Sequence, residues 1–96
     1  MSDPIVARAF RGTRRKSVYR DHEIGAEDLG RIIEAVASLE AVPCELDKKA
    51  AGALAAELTE LRRGAALLDL DDDLTALAEV ARFCSRAQGG AWMTLS

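Results

Sequence analysis

From Leu29 to Cys84 the apolar residues recur every three or four positions, and before Leu29 they do not. Leu29, Ile32, Ile33, Val36 and Leu39 mark one helical face. That helix begins after Gly25 and ends at or before Val42, because Pro43 disfavours helical backbone in the residue it follows. Ile24 and Leu29 have the spacing of a hydrophobic staple. Glu27 and Asp28 fall in the first turn, where the helix dipole favours negative charge.

A second helix is predicted from Asp47, an N-cap residue preceded by Leu46. Leu54, Leu58, Leu61, Ala65 and Leu68 then follow the alternating four-and-three spacing of a packed helix seam. Gly64 either caps this helix after Arg62 and Arg63 or lies inside it. A third helix starts within Asp69-Leu70-Asp71-Asp72-Asp73. Its seam is Leu70, Leu74, Leu77, Ala81 and Cys84, widened by Val80 and Phe83, and Gly89-Gly90 stops it. Two matched seams across a short acidic connection predict an antiparallel helical hairpin. The expected fold is therefore an all-α, three-helix domain with low contact order.

Residues 1–22 show no helical period. Ile5 to Phe10 and Ser17 to Arg20 fit two short strands around a turn at Gly12, or else an extended arm. The predicted organisation is a basic arm over 1–22, a helical domain over 23–90 and an apolar tail over 91–96.

Length and composition narrow this picture. Ninety-six residues suffice for one small domain. The apolar half is mostly Ala and Leu, with 4% aromatic residues, so the core is expected to be thin. A thin core favours burial against a partner or a second copy as a homodimer. No apolar run approaches the length of a membrane span, and no signal-peptide pattern opens the chain. Two cysteines far apart in sequence do not make a disulfide framework. The expectation is a cytoplasmic protein with free thiols, and the Ala, Arg and Leu bias is of the GC-rich bacterial type.

The net charge of −3 conceals a division. The first twenty residues hold six cations against Asp3, and the rest holds seven cations against fifteen carboxylates. Arg11, Arg14, Arg15, Lys16 and Arg20 are the candidate binding residues of the arm. They are expected to meet carboxylates on this chain, on another copy or on an acidic protein partner. The alternative is phosphate contact, with Phe10 and Tyr19 stacking on bases. The predicted helices carry Asp and Glu on their polar faces and supply no basic recognition helix, which weighs against nucleic acid. Ser17 follows Arg14-Arg15-Lys16 as in a basophilic kinase site, where a phosphate would cancel part of the positive field. In the tail, Trp92, Met93 and Leu95 are candidate docking residues, since tryptophan is enriched in binding hot spots.

Catalytic and metal chemistry find little support. The aspartate run opens like a calcium loop, but Leu74 stands where the turn glycine belongs and Val80 where a bidentate glutamate belongs. Cys44, Cys84 and His22 are too scattered for a zinc site. His22, between Asp21 and Glu23, reads as a solvated surface residue, and Glu57 and Glu60 as solvent-facing carboxylates. No triad or phosphate-cradling glycine loop is placed by the pattern. The sequence thus favours a non-enzymatic protein–protein interaction module, a small adaptor or regulatory subunit without cofactor, metal or small-molecule substrate. The second reading is a nucleic-acid-binding regulator.

Overall fold

The computed structural model describes residues 3–13 and 16–96. Its elements are β1 (Ile5–Arg11), β2 (His22–Ile24), α1 (Ala26–Ala35), β3 (Cys44–Asp47), α2 (Lys48–Arg63), α3 (Asp71–Arg86) and β4 (Ala91–Leu95), with a 3-10 turn over Leu68–Leu70 leading into α3. The strands form one antiparallel sheet in the order β2-β1-β4-β3. The all-α expectation is therefore overturned: this is a mixed α/β domain and not a helical bundle.

The sheet arises from period-two alternation at both ends of the chain. In β1, Ala7 and Ala9 turn inward while Val6, Arg8 and Phe10 turn outward; in β4, Ala91, Met93 and Leu95 turn inward while Trp92 and Thr94 turn outward. Pairing Ala7 with Leu95 and Ala9 with Met93 puts both apolar sets on one face. Within the predicted arm over 1–22, Ile5–Arg11 is thus a central strand, and within the tail over 91–96, Ala91–Leu95 is the other. β1 pairs with residues 22–24 and not with Ser17 to Arg20, which touches it through the Val18 N–H donated to the Ala9 carbonyl, at 2.9 Å. Gly12 ends β1 at φ +65°, the backbone freedom expected of it, and its N–H donates to Gly90 O at 2.7 Å.

One face of the sheet is covered by the predicted hairpin. α3 lies over β1 and β4, and α2 over β3 and β4. The third-helix seam holds well, with Leu70, Leu74, Leu77, Ala81 and Cys84 all buried. The second fails at its end. Leu54 and Leu58 are buried, but α2 stops at Arg63 with Gly64 as C-cap, Ala65 turns left-handed and Leu68 is 71% exposed. Asp47 caps α2 as expected, accepting the Ala50 N–H at 2.8 Å. The small side chains Ala7, Ala9, Ala78 and Ala81 join the same core as the leucines, so the sheet adds the buried area that three helices alone would lack.

α1 ends at Ala35, within the bound set by Pro43 but before Val36 and Leu39 of the predicted helical face. Val36 is already extended, yet Val36 and Leu39 remain buried as the pattern required. The reason is tertiary. Glu57 on α2 accepts the Ala37 N–H at 2.6 Å and the Ser38 N–H at 3.0 Å, and takes the Ser38 hydroxyl as well. A carboxylate that satisfies these backbone groups removes the need for further helical turns. Burial pushes the Glu57 carboxyl up, but the Ser38 hydroxyl and the two N–H groups outweigh it and hold it below its ordinary value.

Candidate functional site

The aspartate run accounts for much of the charge division. Asp69 binds Arg31 of α1 at 2.6 and 3.2 Å. Asp71 accepts from Arg62 at the end of α2 at 3.1 Å, and Asp73 lies 2.9 Å from His22 Nε2 on β2. Three alternate aspartates thus tie three elements to the start of α3. No aspartate caps α3; its N-cap is Leu70. The Arg31 guanidinium holds the Asp69 carboxyl below its ordinary value. His22 is half-buried and partnered from α3, not solvated. Among the described residues no three of His, Cys, Asp and Glu converge to hold a metal ion. Both cysteines are free thiols, and burial raises the pKa of each.

The basic residues are not absorbed by that acidic surface. Arg11 donates to Gln88 O at 3.2 Å, and Lys16 and Arg20 are exposed between β1 and β2. Among the described residues neither Arg11, Lys16 nor Arg20 lies within salt-bridge distance of a carboxylate. Arg14 and Arg15 lie outside the described residues. Ser17 is half-buried and donates its hydroxyl to Tyr19 O at 3.0 Å. Of the three tail residues, Met93 and Leu95 are fully buried beneath the helices, and only Trp92 turns outward.

Trp92 belongs to the face of the sheet that no helix covers. Register sets its layout: Phe10, Trp92 and Asp47 share one row across β1, β4 and β3; Arg8, Thr94 and Glu45 share the next; Glu23 and Val6 form the third. Phe10 and Trp92 stack with ring centroids 5.4 Å apart and planes 15° apart. Beside them lies a shallow pocket of roughly 520 Å³ lined by Phe10, Thr13, Glu45, Trp92 and Thr94. Its middle is aromatic and its rims are acidic, with Glu23 and Asp21 at one edge and Glu45 and Asp47 at the other. Among the described residues the one cation in these rows is Arg8, which sits 3.8 Å from Asp21.

Sequence reasoning singled out Phe10 and Trp92 separately. Each is the aromatic residue in the outward phase of an alternating strand, which was the signal for pairing them. The Tyr19–Phe83 stack, with centroids 4.6 Å apart, joins a loop to α3 and has no such signal. No helix among the described residues is long and apolar enough to cross a membrane. Comparison with protein families, with curated proteins and with solved structures finds no match.

Proposed function

We propose that this chain is a non-enzymatic protein-interaction module that docks a basic segment of a protein partner on its uncovered sheet face. The observation that carries this reading is the Phe10–Trp92 stack at the centre of that face, flanked by Glu45 and Asp47. An aromatic pair on two central strands offers a rigid apolar anchor with little side-chain entropy left to lose. Carboxylates at both rims favour Lys or Arg on the partner, and a cation over an indole face gains about 0.5–2 kcal/mol. The same rims oppose a second copy packed with strands aligned, because its acidic edges would face them. The helix seams are occupied by the sheet, so the docking surface is the sheet face and not a helix face. The proposed setting is the cytoplasm, where the free thiols of Cys44 and Cys84 are kept reduced.

Trp92 is the only tryptophan, so its emission reports this face alone. The full chain is titrated at low salt with a Lys/Arg-rich decapeptide and with a Glu-rich decapeptide. The expected result is a saturable emission change with the basic peptide only, with affinity several-fold weaker in Glu45→Gln and in Phe10→Ala. No saturable change up to millimolar peptide, or an equal response to the acidic peptide, overturns the proposal. So does light scattering that shows a dimer with Trp92 shielded from quencher, which assigns the face to self-association.

A further inference from the structure

Three of the described basic residues without carboxylate partners, Arg11, Arg82 and Arg86, meet at a second surface, on the helix side of the molecule. Where the loop residues 16–21 meet the C-terminal half of α3, Arg11, Tyr19, Glu79, Arg82, Phe83 and Arg86 line an open cleft of roughly 350 Å³. Tyr19 and Phe83 form its aromatic wall, with planes 13° apart. Arg82 is fixed by a 2.7 Å hydrogen bond to Thr59 Oγ1, and Arg11 by its bond to Gln88 O. Among the described residues Arg11, Arg82 and Arg86 have no carboxylate within salt-bridge distance, so the cleft lining carries three guanidinium groups and one carboxylate, Glu79.

We propose that this cleft seats one nucleotide of a single-stranded nucleic acid, with its phosphate against the arginines and its base against the Tyr19–Phe83 wall. Guanidinium forks suit phosphate and carboxylate alike. The aromatic wall adds a preference for a flat ring, which an acidic peptide does not supply. Lys16 and Arg20, exposed in the same loop, carry positive charge beyond the cleft, as successive phosphates require and a single aryl phosphate does not. The chain's net negative charge does not oppose this. The aspartate run sits at the N-terminus of α3 and the cleft at its C-terminal half. From Asp73 to Arg82 and Arg86 the helix rises about 14 to 20 Å, beyond a Debye length of about 8 Å at physiological salt. The aspartates nearest α1, α2 and β2 are, besides, already paired.

The test is anisotropy of a fluorescein-labelled uridine decamer with the full chain at 50 mM to 300 mM salt. Unlabelled uridine monophosphate, phenyl phosphate and a Glu-rich decapeptide serve as competitors. The decamer is expected to bind at the lowest salt and to outcompete all three. Arg11→Gln combined with Arg86→Gln is expected to weaken binding about tenfold and to flatten the log–log salt slope by about 1.4, or about 0.7 for each phosphate no longer neutralised. Arg11→Lys with Arg86→Lys keeps the slope. Tyr19→Ala is expected to weaken binding about five- to a hundredfold, the range of one base stack, while Tyr19→Phe binds as the parent does and controls for folding. Absence of decamer binding at 50 mM salt overturns the proposal, as does binding unchanged in both the arginine double variant and Tyr19→Ala. If phenyl phosphate or the acidic peptide competes as well as the decamer, the cleft belongs to an aryl phosphate or a protein carboxylate instead. The Trp92 titration concerns the opposite face of the sheet, so the two proposals fail independently.

Discussion

The end of α2 places a glycine one position before the residue that needs it. Gly64 has φ −77° and ψ −4°, ordinary helical backbone, while Ala65 takes φ +53°. The hydrogen bonds are those of a Schellman turn: Ala65 N–H donates to Arg62 O and Ala66 N–H to Leu61 O, both at 3.2 Å. Exchanging the two residues, Gly64→Ala with Ala65→Gly, leaves composition and charge untouched. A Cβ at Gly64 would meet Glu60 O at 3.5 Å, an ordinary contact. Removing glycine there reduces unfolded-chain entropy and stabilises by about 0.4–1 kcal/mol. A left-handed alanine costs about 1–2 kcal/mol, against about 0.5–1 kcal/mol for the entropy that glycine loses on folding, so Ala65→Gly gains about 0.5–1 kcal/mol. The exchange is expected to add about 1–2 kcal/mol, and each kcal/mol raises Tm by about 4–8 °C in a domain of this size. Thermal unfolding by circular dichroism reads the shift, and a urea series with unchanged slope confirms that stability alone has moved. A Tm that stays or falls refutes the reasoning. So does a gain carried only by Gly64→Ala, because residue 65 would then not need left-handed freedom.

Glu57→Gln is expected to cost about 1–2 kcal/mol at pH 7, because a charged acceptor is removed from two backbone N–H groups and a hydroxyl. The folded-state pKa of Glu57 is depressed below 4.5, so its contribution is present above that value and disappears as pH falls through the folded pKa. Urea midpoints of parent and variant should therefore converge below pH 4.5, and a gap that widens in acid contradicts the sign. Met93→Ala, at a fully buried site in a central strand, is expected to cost about 2–5 kcal/mol, whereas Trp92→Ala one residue away forfeits chiefly a surface stack of about 0.5–1.5 kcal/mol. Urea unfolding separates them, and equal losses would mean that the alternation of β4 is misassigned.

Helical periods depend on neighbours within a few residues, and they were legible without a structure. The hairpin of α2 and α3, the Asp47 cap, the buried Cys84 and the stop before Gly89 all follow from local spacing and local chemistry. The strands were not legible in the same way. Ala91 to Leu95 alternates cleanly, but five residues at a chain end are a strand only if a partner exists, and that partner is β1 at the opposite end. Cys44 to Asp47 is shorter still and is held by β4. The low contact order expected of three helices is accordingly replaced by pairing of the two chain ends, which no local pattern specifies.

The candidate surfaces divide along the same line. Sequence alone determined which residues carry the chemistry: an arginine-rich segment, an aspartate run, one tryptophan and few aromatics to stack. Tertiary structure decided what each one meets. It committed the aspartates to Arg31, Arg62 and His22, left Arg11 beside Arg82 and Arg86, and set Phe10 against Trp92 and Tyr19 against Phe83. The physical reason is range. Turns, caps and helix faces are fixed by interactions within about one helical turn, whereas burial, ion pairing and sheet register depend on which distant segments the whole core brings together.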